Sequence, residues 1–262
     1  MFKDKAVILF LVLGAFFITN ALVAQMIGVK IFSLEASLGF DPFDWEILGV
    51  SGLGFNLTAG VLLWPVVFVM TDIINEYYGQ KGVRYLSFLA AGLISYAMVM
   101  IFLSINLTPN EWWAYESNAN TENPGLGIRD MNLAFKKIFG QGLWIIVGSL
   151  VAFLVSQLLD VLVFHQIRKW TGEKHLWARA TGSTLVSQFI DSYIVLLIAF
   201  YIGNDWELVR VLAIGTVNYI YKFGMAIVLT PALYIVHFAI DKFLGKELAN
   251  TLKEQAALPQ IR

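Results

Sequence analysis

The stretch AVILFLVLGAFFITNALVAQMIGV, residues 6–29, contains no Asp, Glu, Lys or Arg. The hydrocarbon core of a bilayer is about 30 Å thick, and a helix rising about 1.5 Å per residue needs roughly 20 apolar residues to cross it. Working outward from this run, residues 47–71, 85–110 and 138–159 are equally free of charge. Residues 180–204 are interrupted only by Asp191, and 211–240 only by Lys222 and the neutral His237. Composition agrees, since 58% of the 262 residues are hydrophobic and 14% charged, which excludes an ordinary soluble domain.

The expected fold class is therefore an all-α integral membrane protein of six transmembrane helices, at about 6–29, 57–79, 84–106, 142–167, 183–203 and 208–240. They use most of the chain, so residues 1–262 read as a single transmembrane domain, with no Pro- or Ser-rich linker. Lys3 and Lys5 before an apolar run, with Leu22-Val23-Ala24 after it, resemble a signal peptide. The run continues through Met26 to Val29, however, longer than a usual signal core, and reads as the first helix. Cys is absent, so redox compartment leaves no trace.

Cytoplasmic loops retain Lys and Arg. With the N-terminus inside, Lys3, Lys5, Lys81, Arg84, Arg168, Lys169, Lys174, Arg179, Lys242, Lys246, Lys253 and Arg262 fall on the cytoplasmic face. Only Lys30, Arg129, Lys136, Lys137 and Arg210 fall on the other, and twelve against five places both termini in the cytoplasm. Of two long outer connections, 30–56 carries Gly39, Asp41-Pro42, Gly49, Gly52 and Gly54, which suggests a short hairpin. The other, 107–141, carries Trp112, Trp113 and Tyr115, rings suited to the headgroup level. The inner stretch 168–179 concentrates positive charge and reads as an anchor to anionic lipid.

Charged groups inside a membrane are costly and usually face the bundle interior, pair with one another or line a substrate path. This chain has Asp72, Glu76, Asp160, Asp191 and Lys222 there. Asp72, Asn75 and Glu76 share one helical face at i, i+3 and i+4, and Asn218 and Lys222 are i and i+4. By rise per residue, Asp72, Asp160 and Asp191 lie about 9–12 Å from the inner boundary. Leu154-Val155-Ser156-Gln157-Leu158-Leu159-Asp160 recurs as Leu185-Val186-Ser187-Gln188-Phe189-Ile190-Asp191. On adjacent antiparallel helices this repeat would set Gln157 beside Asp191 and Gln188 beside Asp160, a construction familiar from transporters.

Two buried carboxylates repel unless protonated, solvated or matched to donors, and a substrate brings donors. Alternating amides and carboxylates match a purine-like ring, whose N–H groups donate to a carboxylate and whose carbonyl accepts from an amide. Trp64, Phe68, Phe189, Tyr219 and Tyr221 are available for stacking.

The run Thr71-Asp72-Ile73-Ile74-Asn75-Glu76-Tyr77-Tyr78-Gly79 resembles a signature of the queuosine precursor transporter family. So do Ser156-Gln157-Leu158-Leu159-Asp160 with Phe164-His165, the loop Lys174-His175-Leu176-Trp177-Ala178-Arg179, and the run from Gly182 to Asp191. The resemblance covers helices two, four and five, and departs from the family in the long loop 107–141. It implies an inner-membrane, multi-pass importer of 7-cyano- and 7-aminomethyl-7-deazaguanine, precursors of the queuosine of transfer RNA. It also implies similarity to the vitamin-binding subunits of energy-coupling-factor transporters. The intramembrane polar groups themselves give the expected substrate-binding residues as Gln157, Asp160, Gln188, Asp191, Asp72, Asn75, Glu76, Asn218 and Lys222.

The expected partners are a small purine-like base and the lipid bilayer, with no nucleic acid, no metal and no cofactor. Another small heteroaromatic substrate remains open. An intramembrane enzyme has little to work with, since no H-E-x-x-H pattern occurs and only an unforced pairing of Ser149 or Ser183 with Lys222 would serve a hydrolase. No phosphate-binding loop of the G-x-x-x-x-G-K-[ST] type occurs, so transport is passive, driven by an ion gradient, or powered by a partner ATPase.

Overall fold

The computed structural model describes residues 4–115, 130–140, 142–171 and 175–257. Lys3, Glu116, Glu122, Arg129, Lys174 and Arg262, and with them part of the charge count and of the loop 107–141, lie outside the described residues. Of the described residues 82% are helical, and among them five helical segments are long and apolar enough to cross a membrane. Helix α1 runs over Lys5–Ile27, with the Asp4 carboxylate accepting the Ala6 N–H at 2.9 Å at its start. A compact connection follows, made of β1 (Ile31–Ser33), the single turn α2 (Leu34–Ser37), β2 (Trp45–Ile47), β3 (Val50–Leu53) and β4 (Asn56–Thr58). Helix α3 spans Trp64–Ile105, and the short α4 (Glu111–Tyr115) and α5 (Met131–Phe139) come next. Then follow α6 (Leu143–Thr171), α7 (Leu176–Leu196), a π turn at Leu197–Ile202, α8 (Leu208–Leu244) and the amphipathic α9 (Lys246–Ala257).

At 42 residues α3 would reach about 63 Å if straight, roughly twice the hydrocarbon thickness. It does not run straight, because Gly79 has φ 65° and ψ −170°, backbone that only glycine adopts freely. The two halves lie along α1 in opposite directions. Gly60, just ahead of α3, sits against the Ala24 carbonyl, and Tyr78 donates to the Ala6 carbonyl at 2.7 Å. Gly82 then meets Phe10, and Leu86 presses on Gly14, so the chain has turned back along α1. These two halves stand where helices were expected at 57–79 and 84–106, except that the first begins only at Trp64, residues 57–62 being the end of β4 and a 3-10 turn. The second lies outside the buried polar cluster, with Tyr85, Tyr96 and Phe102 exposed.

The connection between α1 and α3 does contain a short hairpin. β2 and β3 pair antiparallel, Trp45 opposite Leu53, around Leu48-Gly49, both with positive φ as a two-residue hairpin turn requires. β1 pairs with β4, Phe32 opposite Leu57. Glu35 ties the connection together. Its Oε1 accepts the Phe55 N–H at 2.6 Å and its Oε2 the Ser33 hydroxyl at 3.0 Å. Phe55 and Leu57 pack on Tyr221 and Met225 of α8.

The bundle is apolar outside and polar within. Phe238 is 72% and Phe102 66% exposed, as lipid-facing side chains are, whereas Asp160, Asn75 and Gln157 are enclosed. The apolar core is centred on Phe17, Ile73, Tyr77, Phe153, Val161 and Phe164, where α1, α3 and α6 meet. The tightest pairing is α6 with α7. Gly148 near the start of α6 lies so close to the end of α7 that a Cβ would stand 3.0 Å from the Val195 carbonyl oxygen, so the pair is antiparallel.

Candidate functional site

The antiparallel pair brings the two copies of the heptapeptide face to face. The Ser187 hydroxyl lies 3.0 Å from Asp160 Oδ1, and the Ser156 hydroxyl 3.4 Å from Asp191 Oδ1. Each copy thus offers its serine to the other copy's aspartate. This corrects the expected pairing of Gln157 with Asp191 and of Gln188 with Asp160. In each copy Ser and Asp are four residues apart and share the seam, whereas Gln, three residues before Asp, turns to the flank.

The flanks differ. Gln157 faces α3, where its Oε1 accepts the Thr71 hydroxyl at 2.8 Å. Gln188 faces a crevice between α3, α7 and α8 that is partly open to the exterior. Phe68 and Asp72 of α3, Thr184 and Gln188 of α7, and Lys222 and Leu233 of α8 line it. Gln157 Nε2, Gln188 Nε2 and Asp160 Oδ2 are enclosed and have no hydrogen-bond partner among the described residues. Buried polar atoms are rarely left so, and two amide donors and one carboxylate acceptor in one neighbourhood form a set that a ligand bearing both kinds of group could satisfy.

Asp72 accepts from the Ser183 hydroxyl at 3.4 Å and from Thr184 at 3.3 Å. Asp191 is ion-paired with Lys222, which reaches across from α8. Asn75 lies in the same buried layer, its Oδ1 2.9 Å from His165 Nε2. Asn75 and Glu76 do not line the crevice. Nor does Asn218, half-buried one turn before Lys222. Of the aromatic candidates only Phe68 lines it. Trp64 packs on Phe153, Tyr221 on Phe55, and Phe189 is exposed beside Tyr193 and Tyr219.

Glu76 is held by a buried arginine. Arg179 donates to it through Nη2 at 2.7 Å and Nε at 3.2 Å, with Arg168 Nη1 at 3.8 Å. Arg168 and Arg179 are therefore not surface anchors to lipid. They are 6% and 2% exposed and serve the bundle interior. The signal was present in the sequence, since a lone glutamate on an intramembrane face requires a cation. One residue on, the Tyr77 hydroxyl donates to Asp241 at 2.7 Å and lies 3.0 Å from His237 Nδ1. Lys253 of α9 closes the group by donating to both Asp241 oxygens at 2.9 Å. The crossing of α3, α7, α8 and α9 beside Gly79 is thus latched by hydrogen bonds and ion pairs.

The imagined hydrolytic pair does not form. Ser149 donates to Gln25, Ser183 faces Asp72, and Lys222 is bound to Asp191. Among the described residues no group of three or more His, Asp or Glu is placed to hold a metal ion.

An apolar bundle with a polar crevice among its helices is the architecture of a membrane protein with room for a small polar molecule in its interior. The sequence profile of the putative vitamin uptake transporter family matches residues 58–236, and this chain belongs to that family. It is 29% identical over 188 residues to a probable queuosine precursor transporter of Bacillus subtilis, covering 69% of this chain and 72% of the relative. It is 28% identical over 218 residues to a probable queuosine precursor transporter of Haemophilus influenzae, covering 79% and 82%. It is 26% identical over 212 residues to the queuosine precursor transporter of Escherichia coli, covering 79% and 85%. These relatives are transporters, not enzymes, and this chain is a multi-pass membrane protein of their family. No solved structure matches it.

Proposed function

We propose that this chain imports queuosine precursors, 7-cyano- or 7-aminomethyl-7-deazaguanine, across the inner (plasma) membrane for salvage into transfer RNA. The names of its relatives support the substrate class. The observation that carries the reading at the site is Gln188, enclosed at the crevice wall beside Asp72 with its amide nitrogen unpartnered. A guanine-like edge offers a carbonyl to such an amide and two N–H donors to such a carboxylate, while Phe68 offers a ring face. Gln157 and Asp160 lie behind that wall and complete the polar layer. Asp191 and Lys222 hold α7 to α8 across it.

In this reading the fold-back at Gly79 makes two crossings of α3, giving six in all with both termini in the cytoplasm. The hairpin connection between α1 and α3 then caps the outer face, and the Glu76 and Tyr77 latches close the inner one. The base enters from outside, rests among α3, α6, α7 and α8, and leaves inward when the latches open.

The test is uptake of labelled precursor into cells unable to synthesise it, with and without this chain, scored by queuosine in transfer RNA. Restored queuosine supports the reading. No restoration, with the protein shown to be in the membrane, overturns the substrate and directs attention to other heteroaromatic vitamins.

A further inference from the structure

The buried carboxylates are balanced unequally. Asp191 is paired with Lys222 and Glu76 with Arg179, and the more exposed Asp241 with Lys253. Among the described residues no cation is paired with Asp72 or Asp160, although Asp160 is wholly enclosed and the two repel each other, with Glu76 adding to the repulsion at Asp72. Lys222 of α8 lines the same crevice as Asp72, but its ammonium is held by Asp191. His165 of α6 is bonded to Asn75, and Arg179 of α7 to Glu76. Asp160 and Asp191 occupy equivalent places in the repeat, yet the fold supplies a fixed cation to only one of them.

The side-chain group bonded to Asp160 is a hydroxyl. Ser187 lies 3.0 Å from its Oδ1, the Ser183 and Thr184 hydroxyls that bond Asp72 stand on the preceding turn of the same helix, and its Oδ2 has no partner among the described residues. Two of these hydroxyls have another acceptor in reach, Ser187 the Thr184 carbonyl at 3.1 Å and Ser183 the Ala180 carbonyl at 3.0 Å. Turning onto their own helix, they present lone pairs. That set cradles either a protonated carboxyl or a small hard cation. Separately, the Gln188 amide, enclosed and without a partner among the described residues, lines the crevice one helical turn from Thr184, where a ligand's acceptor could satisfy it.

We propose that Asp160, with Ser183, Thr184 and Ser187, is the site of a coupling monovalent cation, a proton or a sodium ion, and that its occupancy readies Asp72 for the base. This rests on the transporter reading above. The repulsion between two uncompensated carboxylates is relieved when one of them takes up a cation. A cation lodged on Asp160 leaves Asp72 a carboxylate, the form that accepts N–H donors; a cation on Asp72 would block it. Cation and base must then raise each other's affinity by the same factor.

The test uses the full chain purified in detergent, with radioactive sodium binding and the infrared band of a protonated carboxyl at neutral pH as direct probes. One of the two signals is expected in the native protein and is lost in Asp160→Asn. Ser187→Ala, a milder change that keeps the charge, weakens it several-fold and replaces Asp160→Asn if that variant does not fold. Neither signal in the native protein, or a signal indifferent to both variants, overturns the proposal. In a second arm, affinity for 7-aminomethyl-7-deazaguanine is measured as the cation is raised, with a gain of about 5- to 150-fold expected. Base binding without any cation signal removes the cation site and keeps the substrate reading. A cation signal lost in Asp160→Asn without base binding removes the substrate reading and keeps the cation site.

Discussion

Lys222 on α8 is ion-paired with Asp191 on α7, and this pair is the only fixed charge balance that the repeated heptapeptides receive among the described residues. The side chains are 11% and 19% exposed, so each depends on the other for solvation. Removing one partner of a buried pair costs about 3–5 kcal/mol, whereas replacing both by neutral groups costs far less. Lys222→Met is therefore expected to lower thermal stability in detergent sharply, and Lys222→Met with Asp191→Asn to restore most of it. A double variant as unstable as the single one would show that the pair is not what joins α7 to α8.

Gly79 carries the reversal of α3, at a φ of 65° and ψ of −170°. Alanine there is strained by about 1–3 kcal/mol. Gly79→Ala should reduce the unfolding free energy by that amount. Gly92→Ala, in the second half of α3 where a Cβ meets nothing within 4 Å, should have little effect. Equal losses at the two positions would remove the special role of the turn.

Glu35 governs the pH response of the hairpin connection. Burial raises its pKa, but the Phe55 and Glu35 backbone N–H groups and the Ser33 hydroxyl outweigh this and hold it below the ordinary value of 4.5. A carboxyl with a lowered folded pKa contributes stability above its unfolded value, and that stability is lost as pH falls through the folded one. The connection should stay protected from proteolysis at neutral pH and open as pH falls below about 4.5. Glu35→Gln should remove that dependence; an unchanged profile would refute the assignment.

Gln188 offers its amide nitrogen to the crevice. If a base carbonyl accepts from it, Gln188→Ala should raise the half-saturation concentration for uptake by about tenfold, the effect of losing a hydrogen bond to a buried acceptor. Phe189→Ala, on the exposed side of the same helix, should leave that concentration unchanged. Transport kinetics of the two variants would separate a substrate contact from a general loosening of α7.

The chemistry of the site was readable from residue types, but its partners were not. Asp72, Gln157, Asp160, Gln188 and Asp191 stood out because charge and amides are scarce in apolar helices. Ser183, Thr184 and Ser187 did not, since hydroxyls on membrane helices are common and their partners lie on other helices. The repeat announced two facing copies, while the choice of Ser over Gln as the aspartate's partner depended on which side chain pointed along the seam. Arg179 was legible only as a positive residue near a helix end until α3 and α7 met and buried it against Glu76.

By itself the sequence determined that this is a helical membrane protein with a polar interior, because run length without charge and the cost of burying charge are local properties. The resemblance carried by its motifs determined the family in the same way. Only the tertiary structure decided that the reversal expected between the helices at 57–79 and 84–106 is made at Gly79 within one continuous α3, that Lys222 is spent on Asp191, and that Asp160 is left among hydroxyls. Those outcomes depend on helix rotation and crossing, which set the few ångströms between groups distant in the chain, and on that scale electrostatic and hydrogen-bond energies change steeply with separation.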